Sequence, residues 1–321
     1  MKFWQFAKRF TLLMLVNLLV MITIGLIVSL LFRGVATRLG GNQQLFLFCF
    51  VWGMGGAFIS LALSRWMAKM MMGVRVVDPN TSDPEHQRLV QTVHHLARSA
   101  GLSTMPEVGI YDSTEINAFA TGPSRSQALV AVSAGLLGRM RQYDIQGVLG
   151  HEIAHIANGD MVTMTLIQGV VNAFAMFLAW VLAIALSRGS GRDDDRGGNY
   201  FMQWMLMNLF QGIFMMLGMI VVCWFSRWRE FRADAGGASY AGREHMVSAL
   251  KTLQAAHEGR ADKAAPQQPA FRALMISGTT GGLMALFASH PPLEERIARL
   301  EDPALDQAAS TIAPPRVHKS L

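Results

Sequence analysis

His-Glu-Ile-Ala-His-Ile-Ala-Asn-Gly-Asp, residues 151–160, is the stretch on which the reading of this 321-residue chain turns. It contains the pattern H-E-x-x-H. On a helix, His151 and His155 stand one turn apart on one face. Both imidazoles can then reach one Zn2+ at about 2.0–2.1 Å. Glu152 projects beside them and can take a proton from an attacking water without being a ligand. Val148, Leu149, Ile153 and Ile156 give such a helix an apolar side to bury, and Asp144 is a candidate N-cap. A pair of surface or capping histidines is the plain alternative. A chance match in a chain of this length occurs on the order of once in a hundred.

A catalytic zinc takes three protein ligands and keeps a fourth position open. No histidine or aspartate stands where the extended pattern H-E-x-x-H-x-x-G-x-x-H would need one, and Asp160 is the nearest acid downstream. Glu230, in Arg229-Glu230-Phe231-Arg232-Ala233-Asp234, is the better candidate. Glu230 and Asp234 are four residues apart and face the same way on a helix. One carboxylate can bind metal while the other orients a ligand histidine. A solvated charged turn with Arg232 as partner is the competing reading of this segment.

The chain is 51% hydrophobic and only 16% charged, whereas soluble domains run near a quarter charged. The deficit comes from long uncharged runs at residues 10–32, 45–64, 163–187 and 201–226. Each is long enough to cross about 30 Å of hydrocarbon. The first is too long for the apolar part of a signal peptide and reads as an anchor. The third and fourth carry Gln168, Asn172, Gln203, Asn208 and Gln211, polar groups suited to packing between helices. The net charge of +6 sits largely beside these runs, at Lys8, Arg9, Arg65, Lys69, Arg227 and Arg229. That placement favours membrane anchoring over nucleic-acid binding. Cys49 and Cys223 lie inside apolar runs and are expected to pack, neither bridged nor bound to metal.

Four spans divide the chain into membrane parts at 1–65 and 163–226, with a short periplasmic loop in the latter, and polar parts at 66–162 and 227–321. Both polar parts and the N-terminus fall on one side. Lys2, Lys8, Arg9, Arg65, Lys69, Arg227, Arg229 and Arg232 flank the spans there, and the bias toward Lys and Arg places that side in the cytoplasm. His155 lies shortly before the third span and Glu230 shortly after the fourth, roughly 12 Å and 6 Å of helix from the membrane boundary. Packed as an antiparallel pair, those helices bring both groups to similar depth.

Within the polar parts the pattern predicts a helix over 83–100 ended by Gly101, strands over 107–111 and 127–133, a helix over 227–257, a linker over 258–270 and a short helix over 293–301. His86, His94, His95, His245, His257 and His318 fall on amphipathic helices or in the tail, where surface or packing roles are expected. The fold class is α+β, mainly α: four membrane helices carrying a zincin-like domain with an H-E-x-x-H helix and a small sheet.

The segment 151–160 resembles the active-site helix of the HtpX membrane metalloproteases, relatives of the type 1 CAAX prenyl proteases. Three further segments fit. Asn117-Ala118-Phe119-Ala120-Thr121-Gly122 resembles the stretch leading to the family's substrate-binding edge strand. Glu230 to Asp234 resembles its E-x-x-x-D motif, and Ser289-His290-Pro291-Pro292 its S-x-H-P-P motif. The resemblance implies Glu230 as third zinc ligand, Asp234 as a group that supports a ligand, and His290 near enough to steady an oxyanion. His290 read on its own is a turn histidine.

The expected activity is metal-assisted peptide hydrolysis with one Zn2+ per subunit and Glu152 as general base, His290 assisting. An extended substrate is expected to pair with the strand at 127–133, placing Asn117, Leu129, Val130 and Ala131 at the substrate. The resemblance further implies membrane-protein or unfolded polypeptide substrates, quality control under stress, and a bacterial inner-membrane location with the catalytic part in the cytoplasm. Two readings compete. A transporter with a structural zinc would put ionisable groups inside the spans, and none are there. A prenyl-CAAX protease would need a large intramembrane chamber, and a count of four spans argues against one.

Overall fold

The computed structural model describes residues 41–187, 196–264 and 286–302. The span expected over 10–32 lies outside the described residues. The chain forms two compact units, one drawn from residues up to Leu63 and Val162–Val222, the other from Ser64–Met161 and Cys223 onward.

The first unit is helical. It draws on α1 (Gly41–Met71), α5 (Asp160–Ser187) and α6 (Arg196–Ala241), whose remaining turns belong to the second unit. All three helices are long and apolar enough to cross a membrane. Small residues let them touch. A Cβ added at Gly53 would stand 2.7 Å from the backbone nitrogen of Ala173, so α1 and α5 approach backbone to backbone there. The Phe46 ring meets Phe177 edge-on at 5.3 Å. Away from these contacts the helices present Phe50, Phe174, Leu178, Leu209 and Met216 outward. An apolar surface of that extent is suited to lipid.

The second unit is α+β. Its four strands are β1 (Arg75–Val76), β2 (Glu107–Tyr111), β3 (Ala118–Thr121) and β4 (Leu129–Ser133), in the order β1-β2-β4-β3. β2 and β4 are parallel, and the outer pairs are antiparallel. The sheet is therefore mixed. Side chains alternate across it as the pleat requires. Val108, Val130 and Val132 enter the main core with α2 (Pro84–Ser99), α3 (Ala134–Arg139) and α4 (Gln142–Asn158). Tyr111, Leu129 and Ala131 enter a smaller core on the other face with Ala68 and Val74. α4 buries Ile145, Leu149, Ile153 and Ile156 in the main core, a stripe at helical spacing.

Three expectations change. Asp144 is not the N-cap of α4; the cap position is Arg141. Asp144 lies within the first turn and is fully buried, where it accepts hydrogen bonds from Ser248 Oγ at 2.5 Å and Thr252 Oγ1 at 3.3 Å. It ties α4 to α7 (Arg243–Ala264). The helix expected over 227–257 is two helices, broken at Gly242 in the left-handed region (φ 106°), and α7 runs on through 258–264 where a linker was expected. Most important for function, β4 is paired on both sides, by β2 and by β3. Leu129, Val130 and Ala131 are fully buried and cannot receive a substrate strand. The edge strand on that side of the sheet is β3.

A candidate metal centre

α4 and the C-terminal turns of α6 cross at glycine. A Cβ at Gly237 would lie 2.9 Å from the backbone nitrogen of His151, and one at Gly236 would lie 2.7 Å from the Ala154 Cβ. With no side chains at these points the two helices come into direct contact. Glu230 and Asp234, on the same face of α6 as these glycines, are thereby delivered to the imidazoles of α4. Glu230 is 0% exposed and Asp234 2%.

His151 Nε2 and His155 Nε2 face one another at 3.1 Å. Glu230 closes the group, with Oε1 3.3 Å from His155 Nε2 and Oε2 3.5 Å from His151 Nε2. One donor atom from each of the three residues falls within 4.8 Å of the others. Donors around a tetrahedral zinc at 2.0–2.1 Å are about 3.3–3.4 Å apart, so these spacings suit one small divalent cation. A second observation agrees. Glu230 Oε1 is enclosed by protein and has no hydrogen-bond partner. An orphaned carboxylate oxygen costs about 1–3 kcal/mol or more unless something satisfies it, and a cation in the triangle would.

The far nitrogens of both histidines are occupied. His155 Nδ1 donates to Asp160 Oδ2 at 2.6 Å, and His151 Nδ1 to Asp234 Oδ1 at 2.9 Å. With Nδ1 protonated, the Nε2 lone pairs are left to the metal, which is how carboxylate partners fix the ligating tautomer. Burial works against charge on His151, but the hydrogen bonds to Asp234 and Glu230 more than offset it and raise the group to about 9. His155 is raised in the same way, Asp160 and Glu230 outweighing burial. The pocket thus demands a cation, and a metal entering it displaces protons.

Asp234 is itself gripped by a residue that sequence reading missed. Arg296, on α8 (Leu293–Glu301), donates to Asp234 through Nη2 at 2.6 Å and Nε at 2.8 Å. This two-point ion pair is buried, with Arg296 only 7% exposed. Asp160 was also passed over, because nothing in its spacing distinguishes it. The turn at Gly159 (φ 72°), which caps α4 in the left-handed conformation, swings Asp160 back onto His155.

His290 is brought to the site. Its Nδ1 donates to Glu230 Oε2 at 2.8 Å while its side chain stays 61% exposed. The segment before it is held by Arg227, whose guanidinium donates to the Leu286 and Ala288 carbonyls. Glu152 is buried on α4 beside His151. Asn117 is exposed at the start of β3, its backbone N–H donating to Ser133 Oγ. Cys49 and Cys223 are buried and unbridged.

A helix bearing two histidines one turn apart, with a glutamate from a second helix, is an arrangement suited to a metallopeptidase. The chain belongs to peptidase family M48, which residues 83–304 match, and within it to the HtpX proteases. A protease HtpX homolog of Methylacidiphilum infernorum is 49% identical over 299 residues, covering 92% of this chain and 98% of that one. A homolog from Bacillus subtilis is 48% identical over 304 residues, covering 92% and 99%. The protease HtpX of Thioalkalivibrio sulfidiphilus is 47% identical, covering 92% and 98%. Among solved structures, the crystal structure of S. mikatae Ste24p has a TM-score of 0.58 at 19% identity, matching 91% of this chain. The chain spans 66% of that protein's length, just under two thirds. That likeness is one of fold. The chain is a metalloprotease with a membrane part.

Proposed function

We propose that this chain is a zinc-dependent endopeptidase of the bacterial inner membrane that cleaves misfolded or damaged membrane proteins from the cytoplasmic side. The convergence of His151, His155 and the orphaned Glu230 carboxylate carries this reading. His151 Nε2, His155 Nε2 and Glu230 would hold the ion. When bound, zinc supplies Lewis acidity, making water a nucleophile near neutral pH and polarising a peptide carbonyl.

The remaining work falls to the protein. Asp234 and Asp160 hold the imidazoles in the ligating tautomer. Glu152 takes the proton of the attacking water and delivers it to the departing amine. His290, anchored through Nδ1 on Glu230, stands beside the ligand set, where it would steady negative charge growing on the carbonyl oxygen when its Nε2 also carries a proton to donate.

Substrate binds by strand addition at β3. Ser133 N–H donates to the Asn117 carbonyl, and the register pairs Phe119 with Ala131. Strand alternation then turns the N–H and C=O groups of Ala118 and Ala120 away from β4, free for an incoming chain. Backbone pairing reads little side-chain information, which suits unfolded substrates of varied sequence.

The test uses the detergent-purified chain and an unfolded membrane-protein substrate. Cleavage is expected to stop on chelation and return on adding Zn2+; activity indifferent to both would overturn the reading. Ala120→Pro removes one outward N–H. It is expected to slow cleavage about 10-fold with metal content unchanged, and full activity in this variant would move the substrate off β3.

A further inference from the structure

We propose that Phe119 forms a one-residue apolar subsite that selects an aromatic or branched side chain in the bound polypeptide. This rests on the peptidase reading and on strand addition at β3, and adds to them a place where sequence is read.

The two edges of the sheet differ. β1 is two residues long and exposes both Arg75 and Val76, so shortness and charge guard it against another strand. β3, Ala118-Phe119-Ala120-Thr121, has four residues, no charge and no proline. All four are half-buried, and no described strand pairs with the side turned away from β4. An unguarded edge of this kind is a template for an added chain.

Side chains on β3 alternate between two environments. Ala118 and Ala120 pack against the main core, which α4 enters. Phe119 takes the opposite face and packs against the smaller core that holds Tyr111 and Ala131. Its ring lies 5.6 Å from that of Tyr111, although β4 runs between their strands. The residues of β4 paired with these two aromatics, Ala131 and Ser133, are small. The rings therefore lean together over β4 and make a supported apolar shelf at the edge. Asn117 and Thr121 stand two residues to either side, on the same face. Polar side chains thus bound the shelf, and it is one residue wide along the strand.

An antiparallel chain bonded to Ala118 and Ala120 sets one of its residues opposite Phe119 in a non-hydrogen-bonded pair, the kind whose side chains lie closest. Aromatic and β-branched partners gain most in such a pair. Its neighbours in the substrate face the alanines, and residues two positions away meet Asn117 and Thr121. Selection is therefore confined to one position at a fixed distance from the cleaved bond.

The experiment digests an unstructured peptide library with the full-length zinc-loaded chain in detergent and reads the residues around each cleaved bond by mass spectrometry. The wild-type chain is expected to favour phenylalanine, tyrosine, isoleucine and valine over glycine and aspartate by about 5-fold at one position. Phe119→Ala is expected to abolish that preference and leave the other positions as they were. Phe119→Leu is expected to keep an apolar preference there. Zinc content is expected to be unchanged in both variants, because Phe119 lies outside the donor set. A strand that is merely loosened lowers cleavage of every sequence alike, so a slower Phe119→Ala chain with its preference intact overturns the proposal. A wild-type digest with no preferred position overturns it too. In either case a slowed Ala120→Pro chain would leave strand addition standing without the subsite. A wild-type chain that neither holds zinc nor cleaves would overturn the peptidase reading itself.

Discussion

Glu152→Gln is expected to reduce peptide cleavage by about 10²- to 10⁴-fold, the usual contribution of a positioned general base, while the purified protein keeps its metal. The two outcomes separate because Glu152 lies outside the donor triangle of His151, His155 and Glu230. Glutamine matches glutamate in size but cannot accept a proton. The helix keeps its packing, and the imidazoles keep their bonds to Asp234 and Asp160. The loss should fall on kcat, since proton transfer belongs to the reaction step. Zinc content is read by elemental analysis beside the rate measurement. A variant that loses zinc along with activity would make Glu152 a ligand, and one that keeps its rate would remove it from the mechanism.

Glu230→Ala is expected to lower zinc affinity by at least about 100-fold, because outer residues that only support a ligand already cost 10- to 100-fold. The residue is fully buried at the crossing of α4 and α6, so alanine leaves two imidazoles and no anionic donor. It also frees His290 from its anchor. Chelator competition gives the affinity, and circular dichroism of the metal-free protein shows whether the helices still form. Stoichiometric zinc in a folded Glu230→Ala chain would move the third ligand elsewhere.

The proposed ligands His151 and His155, with Glu152, were legible in the sequence because their chemistry dictates their spacing, whereas Glu230 was a candidate by spacing and His290 was reached only through the family resemblance. His151 and His155 must be four apart on a helix, and Glu230 and Asp234 share a face for the same reason. The residues that support them follow no such rule. Arg296 lies in a short charged helix whose pattern reads as solvated, and only the fold reveals that it is buried against Asp234. Asp160 depends on a left-handed turn at Gly159 that no periodicity announces. The sheet was misread for a related reason. An apolar run such as 127–133 shows that a strand is buried, but not which neighbours flank it. β3, with four half-buried residues of mixed type, gave too weak a pattern to be recognised as the edge. The helix crossing was invisible as well, since glycines at 236 and 237 matter only through what they let approach.

The order of these residues along the chain also sets a clock. During synthesis the imidazole pair leaves the ribosome well before Glu230, which waits for α5 and most of α6 to be made. Arg296 and His290 emerge later still. A nascent chain halted anywhere before Glu230 lacks one corner of the donor triangle. On the ligand set proposed above, the metal site is therefore completed only once most of α6 has been made.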